Sequence, residues 1–245
     1  MSEFKEFDQQ GSVPERNTGA IISHAFEMYK GVFLYGFIII IIYSIANFII
    51  EGISGYSLWS NIRNFRDLDG NYYDYSNWRR PGLSLYYSGY SFLGILLSPL
   101  YVGLIYITNK FNSKERIEIS DLFIGYRQNL GNILLYSLIV TIILAVSLAM
   151  CFLPFFFVYP LFFLGYPILL FENANAMDAL SKTYNIVKEN YSIFLGTALL
   201  GGIISFSGII LCGIGIIFTI FFMEIAMYSA YCAYLGKPRQ IIYNK

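Results

Sequence analysis

The sequence predicts an all-α, polytopic membrane protein: six transmembrane helices arranged as three repeats of an interfacial amphipathic helix plus a transmembrane hairpin. Three observations carry that expectation. Of 245 residues, 56% are apolar and 13% charged, with a mean hydropathy of +0.56, whereas soluble domains carry about a quarter charged residues. The apolar residues gather into blocks near the ~20 residues that a helix needs to cross a hydrocarbon core of ~30 Å with its backbone self-satisfied. A short amphipathic pattern also recurs ahead of each pair of blocks.

Residues 1–17 read as a polar cytoplasmic tail. No cleaved leader is expected there, because Glu3, Lys5, Glu6, Asp8, Glu15 and Arg16 interrupt any short apolar core. The membrane domain then runs over 18–235. Its first amphipathic stretch, "AIISHAFEMYK", sets Ile21, Ile22, Ala25, Phe26 and Tyr29 on one helical face, with Asn17 or Thr18 as cap. Crossings follow at Val32–Ile50 and Ser91–Thr108. Between them lies an outer insert, 51–90, rich in Tyr and Trp (Tyr56, Trp59, Tyr72, Tyr73, Trp78, Tyr86, Tyr87, Tyr90), side chains that suit a membrane–water boundary. Within it "DLDGNYYD" lacks the spacing of a twelve-residue calcium loop and reads as a turn at Asp69-Gly70.

The second stretch, "ISDLFIGYRQN", sets Ile119, Leu122, Phe123, Tyr126 and Leu130 on one face, with Ser120 as cap. Crossings at Asn132–Phe152 and Pro154–Phe171 follow, separated at Pro154 because 40 apolar residues are twice a span. The third, "AMDALSKTYNIV", offers Ala176, Ala179, Leu180, Thr183, Tyr184 and Val187 behind an Asn175 cap, before crossings at Ile193–Leu211 and Ile214–Leu235 around a Cys212-Gly213 turn. Aligned, the three copies pair His24 and Phe26 with Asp121 and Phe123 and with Asp178 and Leu180. An acid in the first turn suits the helix dipole. Residues 236–245 close the chain as a second cytoplasmic tail.

Short cytoplasmic loops are enriched in Lys and Arg. Of the 16 basic residues, only Arg63, Arg66, Arg79 and Arg80 fall opposite the N-terminus, so both termini are expected in the cytoplasm. Equal numbers of acids and bases give no net charge to draw nucleic acid, and no nucleic-acid partner is expected. Cys151, Cys212 and Cys232 sit in apolar blocks without metal-type spacing, and no cofactor or metal motif is present in the sequence.

The stretches "ISDLFIGYRQNLGNILLYSLI", "AMDALSKTYNIVKENYSIFLGTALLGGII" and "LCGIGIIFTIFFMEIAMYSAYCAYLG" resemble the bacterial multi-pass families that group with the membrane domain of glycerophosphoryl diester phosphodiesterases and with integral membrane proteins of the DUF975 and YciC type. That resemblance covers nearly everything except the N-terminal tail and the outer insert, and it implies a six-helix inner-membrane fold. The sequence departs from the families at Ile220-Phe221, where a proline is expected after "IFT", and in its tyrosine-rich insert. The phosphodiesterase chemistry resides in a separate soluble barrel that this chain lacks. Relatives labelled as carotene-cleaving oxygenases imply an iron held by several histidines, and His24 is the sole histidine here.

Glu224, inside "FTIFFMEIAMYSAY", is the leading candidate functional residue, because an acid in hydrocarbon is costly unless it faces the bundle interior, water or a partner. Protonation, ion coordination or headgroup binding are its functional options. A hydrogen bond to Ser205, Ser207 or Asn47 is the purely structural one. Ala198, Gly201, Gly202, Ser205 and Gly208 form a small-residue stripe suited to close helix packing. The leading functional expectation is a non-enzymatic accessory protein of the envelope that associates with membrane lipids or another membrane protein. A small transporter or channel using Glu224 is the alternative, and an enzyme the least favoured reading, since no activated nucleophile or metal cluster is spelled out.

Overall fold

The computed structural model describes residues 11–57, 82–150, 153–210 and 215–238. Among them the secondary structure is entirely helical. Five helical segments are long and apolar enough to cross a membrane, and a sixth results if one sharply bent pair is taken as a single span. These helices are compatible with a multi-pass membrane protein. The chain divides into two units, 39–97 and the remainder.

In the 39–97 unit, the C-terminal part of α1 (Thr18–Ser54) pairs with the N-terminal part of α2 (Leu83–Asn112). Gly82 takes φ +86 where its backbone meets the Ser54 carbonyl, a conformation and an approach that a Cβ would forbid. The Tyr86 hydroxyl donates to Asn47 Oδ1 (3.0 Å), and Asn47 Nδ2 donates to Glu51 Oε1 (3.3 Å). Tyr56, Tyr87 and Tyr90 gather around the Tyr86 ring at 5.2–6.2 Å. The insert expected at 51–90 is therefore narrower. Helix continues to Ser54 and resumes at Leu83, and Tyr86, Tyr87 and Tyr90 are helical residues. Trp59, Tyr72, Tyr73, Trp78 and the Asp69-Gly70 turn lie outside the described residues.

The other unit holds the remaining helices. A 3-10 turn (Ile119–Phe123) leads into α3 (Ile124–Arg127) and α4 (Leu130–Ala149). Next come α5 (Leu153–Val158), a 3-10 turn (Tyr159–Phe162) and α6 (Gly165–Phe171). The chain finishes with α7 (Ala176–Glu189), α8 (Tyr191–Ser207), a 3-10 turn (Gly208–Ile210), α9 (Ile216–Thr219) and α10 (Phe222–Leu235). The expected Cys212-Gly213 turn is outside the described residues, as is Cys151; Cys232 is a buried free thiol.

The three amphipathic segments occupy equivalent points in the chain but adopt different conformations. The first is no separate interfacial helix: α1 runs unbroken from Thr18 into the apolar block, capped by Asn17 Oδ1 accepting from Ala20 N (2.8 Å). Gly31, the residue most apt to interrupt it, instead makes room for the Phe111 ring, which an added Cβ would strike. Its buried face is Ile21, His24, Ala25, Met28 and Val32, rotated from the expected one so that His24 points inward and Phe26 outward, against Phe222 (4.7 Å).

The second segment begins as a 3-10 turn and passes into the single α-helical turn of α3, and its buried positions Leu122, Gly125 and Gln128 recur every three residues. Ser120 is not its cap. Asp121 Oδ2 accepts from Glu118 N (2.7 Å) and pairs with Lys110 Nζ (2.7 Å). Asn129, left-handed at φ 55, then ends the segment and starts α4, a conformation that Asn tolerates better than most residues. Lys110→Met strands the partly buried Asp121 carboxylate, and a loss of about 1.5 kcal/mol is expected, read as a lowered thermal midpoint in detergent.

The third segment, α7, is a full amphipathic helix. The Asn175 side chain accepts from Asp178 N (2.9 Å) as expected of a cap, and Ala176, Ala179, Thr183 and Val187 are buried. At Asn190 the chain turns by 102° into α8.

Candidate functional site

Glu224 lies in the first turn of α10, just past a break in the helix: α9 stops at Thr219 and α10 starts at Phe222. The neighbouring apolar segment is also interrupted. Between α5 and α6 the chain tightens to a 3-10 turn at Tyr159–Phe162, beside Pro160, and α6 carries Pro167 in its first turn. Proline lacks the N–H that would continue the helical ladder, so both prolines favour such a break.

Tyr159 and Tyr166, on this broken segment, are the tyrosines that interact electrostatically with Glu224. Ring contacts tie the two breaks together. Tyr166 meets Tyr136 (5.2 Å) and Tyr101 (6.4 Å), and Tyr101 meets Phe221 (6.2 Å) beside Glu224. The Tyr166 hydroxyl shares hydrogen bonds with the buried Ser98 and Ser137. A small polar cluster is thus enclosed by apolar helices.

Within it, Glu224 Oε2 is buried and has no hydrogen-bond partner. The three expected partners are not used. Ser205 Oγ is itself buried and unpartnered, Ser207 Oγ donates to Ile204 O (2.7 Å), and Asn47 serves Glu51 and Tyr86. The stripe on α8 faces helix rather than polar groups. A Cβ on Gly201 would lie 3.2 Å from Met223 Sδ, one on Gly202 3.7 Å from Met223 Cε, and one on Gly208 would collide with the Gly215 backbone. Ala198 and Ser205 are buried on the same helix, and Thr219 Oγ1 donates to the Ser205 carbonyl (2.7 Å), closing the α8–α9 turn.

The aligned positions of the three amphipathic segments sit in different environments. Asp121 is ion-paired, whereas Asp178 is exposed and bonded to Asn175 (2.6 Å). Phe123 is partly exposed, and Leu180 is half-buried. Glu172, exposed at the C-terminus of α6, pairs with Lys182 (2.6 Å) and accepts from the Tyr231 hydroxyl (3.4 Å).

His24 is not an interfacial side chain. It is 5% exposed, with Nδ1 2.8 Å from Ser229 Oγ and Nε2 donating to the Ser12 carbonyl (3.1 Å). It belongs to a polar network at one end of the unit. Asn112 Oδ1 accepts from Ser12 N (2.9 Å), and its Nδ2 donates to Ser12 O (3.0 Å) and to Tyr228 Oη (3.0 Å). Tyr228 in turn donates to Asn109 Oδ1 (2.9 Å). Ser12, Asn112, Lys114 and Glu115 also edge an open cleft of about 730 Å³. Partial burial pushes the Glu115 carboxyl above its ordinary range, against the opposing pull of Lys110 and Lys237. This network was not anticipated. Its sequence signal was the spacing of Asn109 and Asn112, one turn apart at the end of an apolar block.

No family model matches the chain, and comparison with curated proteins and with solved structures finds no significant match. The fold therefore defines a class alone: a protein whose described residues form only helices, with five or six segments among them fit to cross a membrane.

Proposed function

We propose that this chain is a non-enzymatic integral membrane protein of the inner membrane, with both termini in the cytoplasm, that associates with membrane lipids or another membrane protein in an accessory role. The observation that carries the reading is α7. It meets the nearly span-length α8 at 102°, so it runs crosswise to that helix rather than extending it. One face is sunk against the bundle through Ala176, Ala179, Thr183 and Val187. The other presents Met177, 62% exposed, and Tyr184, 46% exposed, with Lys188 over the Tyr184 ring at 5.8 Å. Apolar side chains flanked by lysines are the chemistry of a helix bedded among headgroups, where the lysine stems follow the apolar surface and the ammonium groups reach phosphate.

The test is purification of the full chain in mild detergent, followed by native mass spectrometry. Bound anionic lipid or a membrane-protein partner is expected. Met177→Glu combined with Tyr184→Glu should lower the retained lipid about tenfold, the equivalent of about 1.4 kcal/mol. A stable monomer that carries neither lipid nor partner, or lipid retention indifferent to the double substitution, overturns the reading.

A further inference from the structure

The proposed membrane association makes no use of Glu224. We propose that Glu224 is a proton-binding site, built by the break between α9 and α10 together with the interrupted segment that carries Tyr159 and Tyr166, and that it takes up and releases a proton in the folded protein.

Three observations lead there. First, Glu224 Oε2 is buried without a partner, and among the described residues no charged side chain acts on the carboxyl. A buried carboxylate without a counter-charge is unstable unless it is neutralised by a bound cation or by a proton. A metal cation would need several converging oxygens, and here one carboxylate oxygen stands free, which a proton alone satisfies.

Second, the groups around Glu224 can share a proton but carry no fixed charge. Among the described residues, the titratable side chains that interact electrostatically with it are the phenols of Tyr159, from the 3-10 turn, and Tyr166, from α6. Helix α8 meets this end of α10 at Gly201 and Gly202, around Met223. Helices α1 and α2 meet it at Gly36 and Tyr101, around Phe221. The Tyr166 hydroxyl is itself hydrogen-bonded to Ser98 and Ser137.

Third, a carboxyl serving only to hold helices together needs no interruption of the helices that hold it. Here the acid itself follows the break between Thr219 and Phe222, and both nearby phenols come from the segment interrupted at Tyr159–Phe162. Breaks of this kind within an apolar bundle leave backbone groups for polar ligands and allow the local rearrangement that exchange requires.

The test is infrared difference spectroscopy of the full-length protein in lipid, taken between acidic and alkaline buffers. A carbonyl stretch from a protonated carboxyl is expected, fading as the pH rises, missing from Glu224→Gln and displaced in frequency in Glu224→Asp. The Asp variant keeps the carboxyl, so its displaced band assigns the signal even if the Gln variant fails to assemble. A Glu224 band that stays constant across the pH range marks a permanently neutral structural acid and overturns the proposal, as does the lack of any Glu224-dependent band. Lipid retention is measured on different residues, so failure of one proposal leaves the other standing.

Discussion

Gly103→Ala is expected to prevent assembly of the bundle, with a loss of at least about 3 kcal/mol, the upper end of what overpacking ordinarily costs. A Cβ at this position would lie 1.9 Å from the Leu122 carbonyl oxygen and 2.5 Å from its carbon. Both are backbone atoms, so no rotamer change relieves the clash. The contact is reciprocated one turn away, where a Cβ on Gly125 would fall 2.5 Å from the Pro99 carbonyl oxygen. The 3-10 turn and α3 are thus laid directly onto the backbone of α2, with no side chain between. The measurement is the yield of monodisperse protein in mild detergent and its thermal midpoint. Gly131→Ala is the control: nothing lies within 4 Å of a Cβ there, and the helix gains up to about 1 kcal/mol of propensity. Equal behaviour of the two variants would show that the close approach at Gly103 is not required.

That contact also shows why "ISDLFIGYRQN" could be recognised as a distinct element yet not correctly shaped. Its alternation of apolar and polar residues marks it as neither span nor free loop. The choice between α and 3-10 winding, however, rests on glycine spacing across two segments, Gly103 against Leu122 and Gly125 against Pro99, which a single amphipathic face does not encode. Similarly, the apolar blocks mark the spans well, since hydrocarbon length is a property of composition. The breaks within them at Tyr159–Phe162 and Thr219–Phe222 were missed. Pro160 offered a local signal for the first, whereas Ile220-Phe221 offered none for the second.

Glu224 was legible because one acid in a long apolar run is conspicuous by itself. Its surroundings were not, because Tyr159, Tyr166 and Ser98 come from segments 58 to 126 residues away, and aromatic residues are common throughout this chain. The inward turn of His24 had the same cause. A helix face with Phe26 and Tyr29 is the more apolar choice, but burial is decided by the partner surface, and Ser229 and Ser12 present groups that bond an imidazole.

Asn112→Leu is expected to release the segment before α1 from the bundle and to destabilise the protein by about 2–3 kcal/mol, the sum of several net hydrogen bonds of about 1 kcal/mol each. Asn112 is a two-way clamp. Its Oδ1 accepts from Ser12 N, its Nδ2 donates to Ser12 O, and the second Nδ2 hydrogen reaches Tyr228 Oη, which is fully buried. Leucine fills a similar volume but leaves Ser12 N unbonded and removes one of the bonds on Tyr228. Because His24 Nε2 donates to the same Ser12 carbonyl, loosening Ser12 also exposes the histidine. The readout that separates this from general instability is tryptic cleavage after Arg16. In the native protein that residue is held by its Nε bond to the Ala233 carbonyl (3.1 Å) and by its stacking 5.4 Å from the Tyr234 ring centre. Cleavage there should accelerate in the Leu variant at temperatures well below the unfolding midpoint. Asn112→Asp should be at least as harmful, because it keeps the acceptor facing Ser12 N but turns a second acceptor toward the Ser12 carbonyl. If Arg16 is cut at the native rate in both variants, the segment is held by Arg16 and Thr18 alone, through their bonds to Ala233 and Ile193, and the amide clamp contributes nothing to it.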